Sequence, residues 1–222
     1  ATGLYERRRM DTYMQAVMLL GPRKLSCEEL PLPRPGADEV VLKIDAALTC
    51  GTDLKAFLRG HPKWPMPTRF GHEYAGTIAA RGRNVAGIRE GDAVMLAPTA
   101  PCGACFYCQR GQETLCVSIM ETMVLGGYAE YLTVPERVIR TNLFPKPRAL
   151  SFAEASLLEP VSCVVHGLQQ PTIRQDDIAV IIGAGAFGLL HLVVLRALGV
   201  EQIYVIARNP RRAKIAKELG AS

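Results

Sequence analysis

Two short stretches, Thr49-Cys50-Gly51-Thr52-Asp53 and Phe70-Gly71-His72-Glu73-Tyr74, hold the residue types that a zinc ion takes together, a thiolate and an imidazole. Carboxylates, not further cysteines, stand beside them. Such a donor set leaves a coordination position for water or substrate, which is the pattern of a catalytic site and not of a closed structural one. Between the two stretches, His61-Pro62-Lys63-Trp64-Pro65-Met66-Pro67 must be a loop, because its prolines remove donors and fix the backbone. Trp64 there could line a substrate cleft or cover the core, and the second is preferred because large aromatics dominate burial. Cys50 alone could pack as a small hydrophobe, so the rest of the chain has to decide.

A second cluster has the opposite character. Cys102, Cys105 and Cys108 follow one another at three-residue spacing, with Cys116 eight residues further. Four thiolates so placed can wrap one ion tetrahedrally, with Gly103 permitting the tight turn. A redox Cys-x-x-Cys pair would use two cysteines at a helix start, not four in a lobe. Seven cysteines in 222 residues, four of them crowded together, favour metal ligation in a reducing compartment over a disulfide framework, and a cytoplasmic location is expected.

The third stretch is Gly183-Ala184-Gly185-Ala186-Phe187-Gly188, placed between a β-branched run from Ile178 and an apolar helical pattern, with a further strand predicted over Gln202 to Ala207. This is the context a dinucleotide fingerprint requires: glycines let a pyrophosphate approach the backbone at a helix N-terminus. Ile178 to Val200 is apolar enough to be weighed as a membrane span, but its glycines, with His191 and Arg196, favour strand, turn and helix. About 20 residues past such a turn an Asp or Glu normally binds the ribose hydroxyls of NAD. Here that position is Ala207, followed by Arg208, with Arg211 and Arg212 nearby, so NADP is preferred over NAD. Asn209-Pro210 also reads as an ordinary helix start.

The positioning elements are mostly strands. Met14 to Leu20, Glu39 to Leu48, Tyr74 to Ala80, Asp92 to Ala97 and Gly126 to Val134 have strand character and are separated by turn residues. Thr49 to Arg59 predicts a short helix. Ser151 to Leu158 predicts another, opened by a Ser151 and Glu154 capping box. Glu159-Pro160 is expected to interrupt the helical pattern before it resumes through His166. With 49% apolar and 21% charged residues the chain can bury a core, and its net charge of +5 forms no basic stripe that demands nucleic acid. Ala1 to Thr12 has three arginines but no apolar run behind them, and reads as a flexible extension.

Cys50-Gly51-Thr52-Asp53, Gly71-His72-Glu73, the four-cysteine lobe, Gly126-Gly127-Tyr128-Ala129-Glu130-Tyr131, Glu159-Pro160 and the glycine fingerprint, in this order, resemble the zinc-dependent medium-chain dehydrogenase/reductase family. Glu159-Pro160 resembles its polyol and threonine dehydrogenase branch. The resemblance implies a mixed α/β chain: a flexible extension over residues 1–12, a β-rich GroES-like catalytic domain over 13–165 with a zinc lobe at 98–118, and the first half of a Rossmann domain over 166–222. It implies a catalytic zinc on Cys50 and His72 with Glu159 or Glu73 as third ligand, a proton-passing hydroxyl at Thr52, and a structural zinc on Cys102, Cys105, Cys108 and Cys116. Gly183, Gly185, Ala186, Phe187, Gly188, Ala207, Arg208 and Arg212 would meet the cofactor. The implied reaction is hydride transfer between an alcohol or polyol and NADP or NAD. The expected partner is a small-molecule alcohol or carbonyl substrate, with no nucleic acid and no membrane, and the full-length protein is expected to form a homo-oligomer.

A doubly wound dinucleotide domain needs two βαβαβ halves, and the chain stops after one βαβ unit, so it is expected to be truncated. Two other readings remain open. One is a zinc-ribbon module that binds through the lobe, which leaves Cys50, His72 and the fingerprint unexplained. The other is an inactive family member.

Overall fold

The structure is a computed structural model that describes residues 12–222. Of the expected extension at residues 1–12, all but Thr12 lies outside the described residues. Contacts divide the chain into two units between Leu158 and Glu159.

The first unit is built on two antiparallel sheets. Strands β1 (Tyr13–Gly21), β2 (Lys24–Pro31) and β4 (Thr68–Arg69) form one, in the order β2-β1-β4. Strands β3 (Val40–Leu48), β5 (Glu73–Arg81), β6 (Ala93–Leu96), β7 (Tyr131–Val134) and β8 (Leu143–Pro145) form the other, in the order β7-β3-β5-β6-β8. Alternation sets which side chains point inward. Val40, Leu42, Ile78, Val94, Leu132 and Val134 meet in one core, closed by Tyr74, whose hydroxyl donates to the Val124 carbonyl at 2.9 Å. Helix α1 (Gly51–Arg59) follows β3 directly and buries Asp53 and Ala56, while helix α2 (Glu136–Asn142) buries Val138.

Several elements depart from the sequence expectations. Strand β2 carries no strand pattern in its sequence, because Lys24, Glu28 and Glu29 break the apolar alternation; among the described residues it is an edge strand paired with β1 and tolerates that exposure. The strand expected over Gly126 to Val134 forms only from Tyr131. Before it, Gly126 and Gly127 both donate backbone N–H groups to the Gly71 carbonyl, at 2.9 and 3.0 Å, and Tyr128 donates to Phe70. The helix expected from Ser151 is the short α3 (Phe152–Ala155), with its capping box present. The expected interruption at Glu159-Pro160 is corrected: helix α4 (Leu158–Leu168) runs through both residues. Proline is accommodated in a first turn, where no intrahelical N–H bond is lost.

The second unit has parallel strands β9 (Ile178–Ile182) and β10 (Gln202–Ile206), paired in register from Ile178 with Gln202. Helices α5 (Ala186–Ala197) and α6 (Pro210–Glu218) supply Leu192, Leu195 and Ala216 to a core that also takes Val200 and Ile203. The opposite face of the strand pair exposes Ile178, Val180, Ile182, Tyr204 and Ile206. Among the described residues no helix is long and apolar enough to cross a membrane.

Gly71 links the first unit's fold to its candidate site. Its φ is +88°, and a Cβ there would lie 3.0 Å from the Tyr128 ring. Gly71→Ala is therefore expected to cost about 1–3 kcal/mol in urea unfolding. Gly51→Ala, where an added Cβ has no atom within 4 Å, should change stability by about 0.5 kcal/mol or less.

Candidate metal centres

Cys50 is the N-cap of α1, and its sulfur accepts from the Thr52 N–H at 3.1 Å. A helix N-terminus favours negative charge on such a capping atom. Asp53 completes the capping box by accepting from the Cys50 N–H on Oδ2 at 3.0 Å. His72 stands at the entry to β5, with Nε2 3.3 Å from the Cys50 sulfur and Nδ1 2.9 Å from Asp53 Oδ1. A tetrahedral zinc would separate a sulfur and a nitrogen ligand by about 3.6 Å. The pair fits that geometry.

Asp53 is buried and holds the unit together. Its carboxylate holds Nδ1, which aims Nε2, the nitrogen a metal would take, at the Cys50 sulfur. The Tyr128 hydroxyl lies 3.1 Å from Asp53 Oδ2 and 2.9 Å from the Leu48 carbonyl, tying β3, α1 and the Gly126–Tyr128 turn to one carboxylate. Burial by itself opposes charge on His72, but the bonds to Asp53 and then Cys50 outweigh it and hold the imidazole up to about 10. A metal on Nε2 would have to displace that proton, so uptake here would strengthen as pH rises. Trp64 is buried among Leu19, Ala56 and Phe70, and its ring also stands edge-on to His72 with centroids 5.6 Å apart.

The other expected residues of this centre are placed as follows. Thr52 is half-buried in the first turn of α1, next to the Cys50 sulfur. Glu73 is buried at the start of β5. Glu159 is in the first turn of α4, in the second unit, and the Cys163 thiol one turn later lies 3.7 Å from its Oε1. Asp53 and Tyr128 were both visible in the sequence motifs without a role. The spacing from Cys50 to Asp53, a cap and its third helical residue, was the available signal.

Cys102, Cys105, Cys108 and Cys116 come together with their sulfurs all within 4.8 Å of one another, Cys102 to Cys108 at 3.9 Å and Cys105 to Cys108 at 3.5 Å. Four sulfurs around a zinc at about 2.3 Å lie about 3.8 Å apart, so the lobe is already near closed tetrahedral form. Backbone N–H groups of Cys108 and Val117 hold Cys105 down to about 7. At Cys116 burial works upward, but the N–H groups of Cys102 and Ser118 prevail and bring it to about 6. Burial, then the Cys105 thiol beside it, pushes Cys108 up to about 12. Without a cation the four sulfurs cannot share one small space as thiolates. Arg137, from α2, adds a clamp that the sequence did not reveal. It donates to the Pro101 carbonyl at 2.8 Å, to Ser118 at 3.2 Å and to the Cys116 sulfur at 3.4 Å, joining both ends of the lobe.

In the second unit, Gly183 turns with φ +106° and Gly185 caps α5. A Cβ on Gly188 would lie 1.9 Å from the Gly183 carbonyl oxygen, whereas one on Gly183 or Gly185 would have no atom within 4 Å. The third glycine thus serves helix packing, and the first two keep the backbone approachable, the division of labour a pyrophosphate site uses. Ala186 opens α5 and Phe187 beside it is exposed. Ala207 is the first residue past β10. Arg208, Arg211 and Arg212 are exposed and form no ion pair among the described residues.

A two-sheet antiparallel unit with an open Cys and His pair and a closed four-thiol lobe, followed by a βαβ glycine-turn unit, defines a zinc-type dehydrogenase architecture. Residues 36–147 match the alcohol dehydrogenase GroES-like domain. An L-threonine 3-dehydrogenase of Bacillus velezensis is 33% identical over 88% of this chain and 56% of its own length. A sorbitol dehydrogenase of Bacillus subtilis is 33% identical over 94% of this chain and 60% of its own. A solved structure described as a zinc-binding dehydrogenase, from Sinorhizobium meliloti 1021 and bound to NADP, superposes with a TM-score of 0.85 at 30% identity over 95% of this chain and 61% of that one. The chain belongs to the zinc-type medium-chain dehydrogenase/reductase family, in its polyol and threonine dehydrogenase branch. It spans less than two thirds of the length of these relatives.

Asp53→Asn should weaken zinc at Cys50 and His72 by roughly 10- to 100-fold, the scale for a lost partner behind a metal-binding histidine. Competition with a chromogenic chelator checks this, and the lobe's affinity should be unchanged.

Proposed function

We propose that the chain is the catalytic domain, over residues 13–165, and the opening βαβ unit, over 166–222, of a zinc-dependent alcohol or polyol dehydrogenase that uses NADP or NAD. What carries this reading is the opposition of Cys50 and His72, with the second His72 nitrogen held by buried Asp53, at a place separate from the four-thiol lobe. A zinc-ribbon module needs only the lobe and gives no reason for that second, oriented donor pair. Zinc held at Cys50 and His72 would supply Lewis acidity toward an alcohol or carbonyl oxygen.

The chain's own residues then have distinct tasks. Asp53 keeps the imidazole oriented and Tyr128 keeps Asp53 in place. Glu159 or Glu73 would complete the protein ligands of this ion. The Thr52 hydroxyl would carry the substrate proton outward. Cys102, Cys105, Cys108 and Cys116 would hold a second zinc with no position open to substrate, so that ion would act on stability alone.

For the cofactor, the backbone at Gly183 and Gly185 would receive the pyrophosphate, beside Ala186, Phe187 and Gly188. Ala207 offers no carboxylate to repel a 2′-phosphate, and Arg208 and Arg212 offer guanidinium groups that form no ion pair among the described residues, which favours NADP. NAD is the second reading, and Asn209 favours it: its side chain caps α6 by accepting from the Arg211 and Arg212 N–H groups, as at any solvated helix start.

Two results are expected. Cys105→Ser should lose one zinc and destabilise the lobe, while Cys50→Ser should lose the other zinc and hydride transfer with the fold retained; elemental analysis and circular dichroism check both, and equal metal loss from the two variants would refute independent sites. In the full-length enzyme, replacing Ala207 by Asp and Arg208 by Gln should shift preference toward NAD by about 1.5–3 kcal/mol, the scale of a charge-assisted hydrogen bond, in steady-state kinetics with both cofactors. An unaltered protein that already strongly favours NAD would overturn the NADP reading.

A further inference from the structure

A cavity of about 570 Å³, within the range of small-molecule sites, opens in the first unit, and its lining includes Trp64, whose ring faces His72. Lys63, Thr68 and Arg69 line one part of it, and Trp64, Met120 and Met123 another. Trp64 is the shared wall: it lines the cavity and stands edge-on to His72, with ring centroids 5.6 Å apart. Its indole N–H donates to the Met123 sulfur at 3.1 Å, which fixes the ring.

The cations of this cavity have no protein partner among the described residues. Neither Lys63 nor Arg69 makes a side-chain hydrogen bond or ion pair among the described residues, although Arg69 is half-buried. Its stem lies along Gly126, where an added Cβ would be 3.3 Å from Arg69 Cδ and where φ is +132°, so the neighbouring turn leaves the arginine its place. The lining contains one carboxylate, Glu121, which is exposed and paired with neither cation. Two cations against one acid leave a net positive cavity. A guanidinium is suited to bidentate bonds with a carboxylate or a phosphate, and the methionines supply an adaptable apolar wall for a carbon chain.

We propose that this cavity binds an anionic group on the substrate, so that the physiological substrate is a hydroxy acid or a polyol phosphate and not a neutral alcohol. Arg69 and Lys63 are the specificity-determining residues, and Trp64 separates the anion from the reacting end. The proposal rests on the dehydrogenase reading for the identity of that reacting end, but the binding of the anion does not depend on turnover.

Trp64 is the single tryptophan of the chain, so its fluorescence reports directly on this cavity. The zinc-loaded chain would be titrated with gluconate, with glycerol 3-phosphate and with sorbitol. At least one of the two anions should alter Trp64 emission at concentrations about tenfold lower than sorbitol, and the two arms separate carboxylate from phosphate. Arg69→Gln and Lys63→Gln should each weaken that anion by about tenfold, as expected for a lost charge-assisted bond, and leave the sorbitol response unchanged. Because Arg69 is half-buried in a strand, circular dichroism of each variant is required; if Arg69→Gln unfolds, exposed Lys63→Gln decides. Equal affinity for sorbitol and both anions, or anion affinity unchanged in the folded variants, would overturn the proposal. Two bound zinc ions without anion selectivity would sink the subsite and leave the dehydrogenase reading standing, whereas anion selectivity in a chain that takes no zinc at Cys50 and His72 would support the subsite and sink that reading.

Discussion

The first unit depends on one buried carboxylate. Asp53 bonds to His72 Nδ1, to the Cys50 backbone and to the Tyr128 hydroxyl. A buried carboxylate without partners would be strongly destabilising. With these it becomes the fixed point that places a thiol and an imidazole opposite each other. The same group caps α1, so the secondary structure and the candidate metal centre are stabilised by one set of bonds. Removing the carboxylate would loosen the helix start and the imidazole together.

Close backbone approach is the second constraint. The Gly71 carbonyl accepts from both Gly126 and Gly127, and Gly71 itself packs under the Tyr128 ring. The loop that presents His72 is therefore held by a turn more than 50 residues away in the chain. The region around Trp64 is equally shared: one side chain closes the small core with Leu19 and Phe70, faces His72 and lines the cavity of Arg69 and Lys63. Burial energy and site geometry here reside in the same atoms.

The lobe follows a different logic. It has little apolar core of its own, and Phe106, Leu115 and Val117 are exposed. Its shape comes from N–H groups directed at sulfur and from the Arg137 guanidinium, which spans from Pro101 to Ser118. A cation among the four sulfurs would relieve their mutual repulsion, and a clamp from α2, which packs on β8, would transmit that order to the five-stranded sheet.

What the amino-acid sequence determined by itself was the chemistry available and its local frames. Donor types and short spacings identified the Cys50 and His72 stretches, the four-cysteine lobe and the glycine turn, because a cap, a tight turn or a Cys-x-x-Cys loop is decided within a few residues. Periodicity located most strands for the same reason. The sequence did not reveal β2, whose charged residues are tolerated only because it is an edge, nor the continuity of α4 through Pro160, which depends on where the helix begins. Tertiary structure alone decided the roles of Asp53, Tyr128 and Arg137, and it brought Arg69 and Lys63 to one cavity. Those assignments rest on contacts between segments far apart in the chain, and no local pattern encodes which buried donor will find which acceptor.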